Sequence, residues 1–175
     1  MNRQDNYRIA FTGLKPGTHS FSFRVGDGFF EQTRDAGITA GNVTVEITMV
    51  KEERMMDLHL EISGKVRVAC DRCNEPVEME VKGRERLIVK LGDHWEEESE
   101  DVQVIPDTAH EIDLAPFLYE YIHLLLPARR VHPDDRNGQS GCNPDVLKKL
   151  EELAPHHTRD PRWETLGQLI NINNS

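Results

Sequence analysis

The feature that most constrains the fold is an alternation of apolar and polar residues through the middle of the chain. Apolar side chains occupy every second position over residues 43–49, and the pattern resumes after a charged turn at residues 51–54 to run over residues 56–70. Side chains of a β-strand point alternately to the two faces of a sheet, so this period is typical of strands with one buried face. A return run over residues 77–91 completes the pattern, which predicts an antiparallel meander.

Glycines interrupt two of these strands at positions that the alternation assigns to the buried face. They are Gly64 and Gly83, and glycine inside a strand often marks an extra, unpaired residue, so we predict a bulge or a bend at each. Two shorter runs, at residues 7–11 and 19–25, precede the meander. Turn residues separate these runs, and Gly26-Asp27-Gly28 predicts the end of the second.

One amphipathic helix follows the strands. Asp113 is a good N-cap, and apolar residues recur over residues 114–125 at the spacing of a single helix face, after which Pro127 ends the helix. We interpret residues 93–101, which are rich in glutamate, as a solvated acidic loop. The predicted fold class is therefore α+β: a mainly antiparallel β meander, as a sheet or a partly open barrel, covered by one amphipathic helix.

The length of 175 residues suits one domain with a modest extension. Pro144-Asp145 and Asp160-Pro161 each open a short helical pattern, at residues 146–153 and 162–170. We predict a single α+β domain over residues 1–153 and a helical C-terminal extension over residues 154–175.

Charge and hydropathy narrow the functional classes. The net charge of −10 at pH 7 argues against non-specific binding of nucleic acid, although a local basic patch still acts within a Debye length of about 8 Å. The amino terminus has no apolar run typical of a secretion signal, and no stretch approaches the roughly 18 apolar residues of a membrane span. We expect a cytoplasmic protein that has neither DNA nor a membrane as its partner.

The three cysteines suggest a metal site. Cys70 and Cys73 form a C-x-x-C pair at the tip of the predicted hairpin between the runs at residues 56–70 and 77–91. A turn there can direct both thiols to one tetrahedral metal. The loop after the helix supplies two more ligand-type residues, His132 and Cys142, and His156 and His157 are alternatives to His132 if the tail folds back. Together they predict a closed Cys3His site that holds a structural metal, with zinc as the expected ion.

Two other interpretations of the cysteines stay open. Cysteine behaves as a small apolar residue when it is buried, so all three could belong to the core. A redox dithiol is the other alternative, although the motif does not lie between a strand and a helix of a βαβ unit, as a thioredoxin-like pair does. An odd number of cysteines and the absence of an export signal disfavour a disulfide framework.

Several segments together resemble the YceD family, which is named for accumulation of the large ribosomal RNA subunit. The resemblance covers about residues 7–150 in the family's order, and it rests on Ile9-Ala10-Phe11 with Gly13-Leu14-Lys15, on Cys70-x-Arg72-Cys73, on the Asp113-Leu114 helix ending in Leu126-Pro127, and on His132 followed by Cys142-Asn143-Pro144. The family often has further cysteines after Leu-Pro, and we expect His132 to take the place of one. Asn74 replaces an apolar residue that commonly follows the C-x-x-C. The segment from His156 onward resembles a lineage-specific extension.

The resemblance implies a protein that normal levels of 23S rRNA require, hence a role in biogenesis of the large ribosomal subunit. It also implies that the protein is not an enzyme. In agreement, the carboxylates at residues 96–101 and 134–135 have no nucleophile or two-metal cage beside them in the pattern. The implied partner is a large-subunit precursor, through either its 23S rRNA or one of its proteins.

Basic residues cluster in sequence around the proposed metal site. They are the candidate residues for contact with RNA or a partner: Arg67, Arg72, Arg129, Arg130 and Arg136. Arginines on a metal-braced hairpin can hold phosphates through paired hydrogen bonds, although ordinary solvated charges are the alternative. Two hypotheses therefore remain: a ribosome-assembly factor that binds RNA or a large-subunit protein, and a zinc-stabilised protein-interaction module whose effect on rRNA is indirect.

Overall fold

A computed structural model describes residues 7–32 and 37–154, which form eight strands and three helices. The strands are β1 Arg8–Ala10, β2 Gly17–Val25, β3 Ile38–Lys51, β4 Met55–Ala69, β5 Pro76–Gly92, β6 Glu96–Ser99, β7 Val102–Pro106 and β8 Glu111–Asp113. The helices are α1 Asp27–Gln32, α2 Ala115–Leu124 and α3 Pro144–Leu153. No helix among these described residues is long and apolar enough to cross a membrane.

The main sheet has six strands in the order β2-β3-β4-β5-β7-β6, and β1 pairs with β8 in a separate two-stranded sheet. Strands β2 to β5 form the predicted antiparallel meander. The α+β class is confirmed, with an open sheet and not a closed barrel. The alternation buries one face, so that the apolar side chains of β3 and β4, among them Val45, Leu58 and Ile62, are fully enclosed.

The interpretation of residues 93–101 as a loop is wrong in part. Val102, Val104 and Ile105 form β7, which pairs in parallel with the end of β5. Residues Glu96–Ser99 fold back on β7 as the antiparallel edge strand β6, and all four of them are exposed. Charged residues at an edge are a common protection against pairing with other chains, and the solvated character of the segment was predicted correctly.

Neither strand glycine produces the predicted bulge. Pairing continues without a register shift through Val43 opposite Gly64 and through Ile62 opposite Gly83. A Cβ at Gly64 would collide with the backbone of Asn42 and Val43, and one at Gly83 would collide with the side chain of Leu125. The glycines are therefore explained by the close approach of neighbouring chain segments.

Helix α2 covers the sheet as predicted, and its own residues Leu118, Tyr121 and Ile122 are buried. Its N-cap position is occupied by Leu114 and not by Asp113, which is the last residue of β8. The carboxylate of Asp113 nevertheless accepts a hydrogen bond from the backbone amide of Ala115 at 2.9 Å, so it still satisfies an amide at the helix start. After α2, Leu125 packs into the space over Gly83 and directs the chain toward the β4–β5 hairpin tip.

Helices α1 and α3 complete the described residues. Helix α1, which the sequence patterns do not predict, follows β2 where a turn was expected and places Phe30 in the core. Helix α3 begins at Pro144, as predicted, and the side chain of Asn143 caps it by accepting from the amide of Asp145. The predicted helix at residues 162–170 lies outside the described residues.

We expect Gly64→Ala to lower the free energy of unfolding by about 2–3 kcal/mol, because the added methyl group meets backbone atoms of β3 that cannot turn aside. Urea unfolding of the purified variant measures this loss. Gly13→Ala is the matched control, since a Cβ at Gly13 has no neighbour within 4 Å. Equal stability of the two variants would contradict the importance of the close approach between β3 and β4.

Candidate metal centre

The tip of the β4–β5 hairpin is a tight turn that directs two thiols to the same side. The amide of Cys70 donates to the carbonyl of Glu75 at 2.9 Å, and the amide of Asn74 donates to the carbonyl of Cys70 at 2.8 Å. Asn74 has a φ of 60°, the left-handed conformation that asparagine tolerates better than most residues. This conformation gives a physical reason for asparagine directly after the C-x-x-C pair.

A second segment, the loop between α2 and α3, docks on this turn through reciprocal hydrogen bonds. The amide of Asp71 donates to the carbonyl of Arg130, and the amide of Arg130 donates to the Asp71 carboxylate, both at 2.7 Å. The Arg130 guanidinium also lies 3.1 Å from that carboxylate. Because His132 follows two residues later, this contact brings its imidazole to the hairpin tip.

Cys142 reaches the same place because the loop closes on itself. The amide of Gly141 donates to the carbonyl of Pro133 at 3.2 Å, and a Cβ at Gly141 would crowd that carbonyl. The loop can therefore place residues 132 and 142 side by side only with a glycine at this position.

The structure brings together all four residues that the sequence predicts as metal ligands. Their ligand atoms lie within 4.8 Å of one another, with 3.7 Å between the sulfurs of Cys70 and Cys142 and 3.4 Å between Cys73 Sγ and His132 Nδ1. Tetrahedral zinc with ordinary bond lengths requires edges of about 3.8 Å between two sulfurs and about 3.6 Å between sulfur and nitrogen. The group could thus hold a metal ion, and its donors fit zinc.

A contact outside the four candidate ligands orients the imidazole of His132. His132 Nε2 lies 3.2 Å from the carbonyl of Pro76, which can only accept a hydrogen bond. That contact places the proton on Nε2 and leaves the lone pair of Nδ1 directed at the thiols. A backbone carbonyl behind a ligating histidine is the usual arrangement in metal sites.

The environment of Cys70 favours its ionised form. Burial opposes ionisation, but the backbone amides of Cys73, Arg72 and His132 outweigh it and lower the pKa of Cys70 to about 6. The Cys70 sulfur, as a thiolate that accepts from the imidazole, raises the pKa of His132, with a smaller contribution from the Pro76 carbonyl. A thiolate is the form of cysteine that binds metals. By stabilising the thiolate, these backbone amides favour binding of a cation at Cys70.

Three of the five arginines predicted to contact RNA or a partner line one of two pockets. Arg72 and Arg130 line a pocket of about 380 Å³ beside Cys70, and the Arg72 guanidinium donates to Ser140 at 3.2 Å. Arg67 instead lines a second pocket, of about 670 Å³, on the exposed face of the sheet. Arg129 and Arg136 are exposed and line neither of these two pockets.

Sequence reasoning missed the residues that assemble the centre. Asp71 carries the contact between the hairpin and the loop, and the carbonyl of Pro76 orients His132. The only available signal for Asp71 was its position inside the C-x-x-C pair. Its partner is the backbone amide of Arg130, and a hydrogen bond with backbone does not depend on a residue type that a sequence pattern could show. The positive φ of Asn74 could have been suspected from asparagine at a tight turn.

The fold and the site define a small α+β protein with a Cys3His group at a hairpin tip. Residues 58–170 match the family described as Large ribosomal RNA subunit accumulation protein YceD. This range is more than half of the chain, and the chain belongs to the YceD family. No curated protein and no solved structure matches it.

The matched range differs from the resemblance at both ends. It begins in β4, so the Ile9-Ala10-Phe11 segment lies before it, and it continues to residue 170. The expectation that the segment from His156 onward lies outside the family is therefore wrong as far as residue 170. The division into a domain over residues 1–153 and an extension over residues 154–175 stays a prediction.

We expect Asp71→Ala to release the loop from the hairpin tip, because the variant loses the acceptor for the Arg130 amide and the charge beside its guanidinium. Thermal unfolding should show a lower midpoint, and the imidazole resonances of His132 should shift in NMR spectra. Asp93→Ala, at an exposed aspartate just after β5, is the matched control. A His132 spectrum that is unchanged in Asp71→Ala would contradict this role.

Proposed function

We propose that this chain is a non-enzymatic factor that promotes accumulation of the 23S rRNA, and that it does so by binding pre-ribosomal RNA with the surface around its Cys3His centre. Membership of the YceD family supports the first part. The observation that carries the second part is the pocket in which Arg72 and Arg130 lie beside Cys70.

The metal in this proposal is a structural zinc ion held by Cys70, Cys73, His132 and Cys142. Four protein ligands complete a tetrahedron, whereas catalytic zinc sites keep a position for water or substrate. All three thiols are buried, which suits a brace within the fold. The ion would link the hairpin tip to the loop that carries Arg129, Arg130 and Arg136. The backbone that positions these arginines would then be held rigidly.

Arginine suits the recognition of RNA because its planar guanidinium can hold a phosphate through two hydrogen bonds. The ion pair with Asp71 holds the Arg130 side chain in place. Arg72 and Arg129 are exposed and can approach a phosphate directly. The net charge of −10 would repel RNA elsewhere on the surface and so limit binding to this end.

Structural roles account for the two loop carboxylates that the sequence offered as catalytic candidates, Asp134 and Asp135. Asp135 accepts hydrogen bonds from the backbone amides of Asn137 and Gln139, both at 2.8 Å. Asp134 lies in a bridge with Ser140 that closes the same turn. These contacts build the loop and provide no paired acid and base.

We expect Cys73→Ser to lose bound zinc and to melt at a lower temperature, because a serine hydroxyl is a poor replacement for a thiolate ligand. Elemental analysis of the purified protein and a thermal scan measure both effects. The exposed hairpin residue Ala69→Ser is the matched control and should keep its metal. Unchanged zinc content and melting in Cys73→Ser would remove the metal from the proposal.

The test of RNA binding is ultraviolet crosslinking of the tagged protein in growing cells, followed by sequencing of the attached RNA. We expect enrichment of one region of 23S rRNA, and a loss of at least about tenfold in affinity for that RNA in Arg72→Ala/Arg129→Ala, since hydrogen bonds with charged groups are strong. Lys82→Ala/Arg84→Ala, which removes the same charge from the sheet face, is the matched control. Equal loss in both pairs would contradict a specific surface.

A zinc-stabilised protein-interaction module is the second candidate. It is favoured by the ion pair between Arg130 and Asp71, which reduces the positive charge available to RNA at the tip. In that case the crosslinked RNA would contain no enriched 23S rRNA region. Mass spectrometry would instead find a partner protein that remains after RNase treatment.

A further inference from the structure

A second candidate binding surface lies away from the metal centre, between the β6–β7 hairpin and the start of α2. It is a pocket of about 340 Å³, which we call the Trp95 pocket. Its apolar lining includes Leu87, Trp95 and Phe117. Leu87 lies 11 residues beyond Pro76 on β5, so at about 3.3 Å per residue the pocket is roughly 35 Å from the hairpin tip.

An exposed tryptophan dominates this pocket. The side chain of Trp95 is 61% exposed, although tryptophan is usually well buried. Exposed aromatic side chains at the mouth of a pocket often anchor a partner, and the indole face attracts cations more strongly than any other side-chain ring. Phe117, a partly buried residue of α2, offers a second aromatic surface.

The charged groups that line the Trp95 pocket are all acidic. Glu97, Glu100, Asp113 and Glu120 line it, together with no lysine, arginine or histidine. Asp113 is satisfied by Arg8 and by the amide of Ala115. In residues 7–32 and 37–154, by contrast, no ion pair involves the other three carboxylates.

Further carboxylates lie near α2, the helix that contributes Phe117 and Glu120 to the pocket. Burial, and then the carboxylates of Asp101, Glu85 and Glu120, raise the pKa of Tyr121 to about 12. Burial, and then the charge of Asp101, raise the pKa of Glu85. Burial is the larger cause in both cases, and the carboxylate of Asp101 contributes to both shifts.

The neighbouring strand adds a template for an extended chain. In the part of the chain that the structure describes, β6 is the last strand of the sheet, so one of its backbone edges is unpaired. An extended segment can add to such an edge through main-chain hydrogen bonds, while its side chains enter adjacent pockets. The exposed glutamates of β6 would oppose an acidic segment and attract a basic one.

We propose that the Trp95 pocket docks a lysine- or arginine-rich segment of a partner protein, with one cationic side chain against the indole of Trp95 and with Glu97, Glu100 and Glu120 as its counter-charges. Charge complementarity selects this occupant, because the same carboxylates repel RNA. The surface is separate from the proposed RNA-binding end, so the protein would hold RNA at one end of its sheet and a basic protein at the other.

The test uses the full chain with its metal and two fluorescent peptides of about ten residues, one alternating lysine with threonine and the other with glutamate in place of lysine. Fluorescence anisotropy should show binding of the lysine peptide alone, weaker at higher salt. Trp95→Ala should weaken it roughly fivefold, and Trp95→Phe less, because phenylalanine keeps an aromatic face. Leu153→Ala, at another exposed apolar residue, should have no effect.

Charge variants distinguish the pocket from the overall negative charge. Glu97→Gln/Glu100→Gln/Glu120→Gln should weaken the lysine peptide about tenfold, since each exposed pair contributes a modest free energy. Glu31→Gln/Glu151→Gln/Glu152→Gln, which neutralises three exposed glutamates elsewhere, should leave the affinity within about twofold. Equal losses in the two triple variants would overturn the proposal, as would no binding at about 1 mM peptide.

Two further outcomes would overturn the proposal by identifying another occupant. Trp95→Ala could change the sedimentation coefficient of the protein without affecting the peptide, which would show that a second copy of the chain occupies the pocket. It could instead abolish binding of a 23S rRNA fragment while peptide binding stays unchanged, which would assign the pocket to RNA.

Discussion

The pairing of β4 with β5 is the constraint on which the rest of the molecule depends. All 15 residues of β4 pair in unbroken register with β5, from Met55 opposite Lys90 to Ala69 opposite Pro76. A slip of one residue would turn every buried side chain of a strand to solvent, so the apolar face holds this register strongly. The register also sets the two ends of the hairpin, with the cysteine turn at one end and the strands around the Trp95 pocket at the other.

Assembly of the candidate metal centre depends on contacts between segments that are far apart in the sequence. The hairpin holds Cys70 and Cys73, whereas His132 and Cys142 belong to a loop that follows α2. Three features bring the loop back: Leu125 over Gly83, the hydrogen bonds between Asp71 and Arg130, and the closure at Gly141. A bound ion would add to these contacts, because metal-binding free energy contributes directly to folding.

The charge of this protein is distributed unevenly along its sheet. Arg72 and Arg130 lie beside Asp71 at the hairpin tip, while Glu97, Glu100 and Glu120 line the Trp95 pocket toward the far end. The net charge of −10 is therefore not spread evenly over the two places. If both proposed surfaces bind partners, electrostatic complementarity would contribute mainly to the choice of partner.

Much of the fold and of the site could be predicted because the relevant signals are local. The period of two determines strand type and buried face, and it correctly assigned β2 to β5. The C-x-x-C pair lies at a hairpin tip because the runs on either side of it are strands. Cys142 is the one remaining cysteine, and His132 was preferred among eight histidines because it lies in the same loop. The helix over residues 114–125 was likewise visible from its apolar spacing, with α2 ending at Leu124.

Tertiary structure alone decided the features that depend on distant neighbours. Val102 to Pro106 is rich in β-branched residues, but its parallel pairing depends on the available edge of β5. That pairing then makes an edge strand of the acidic segment. Gly64 suggested a bulge from its place in the strand pattern, whereas the structure explains this glycine by the close approach of the β3 backbone. No sequence pattern marks the loop contact of Asp71 or the pocket of Trp95, because both depend on segments remote in the chain. The sequence by itself determined the strands of the meander, helix α2 and the candidate ligand residues. Tertiary packing decided where these segments meet, because contacts between remote segments depend on the position of every other segment.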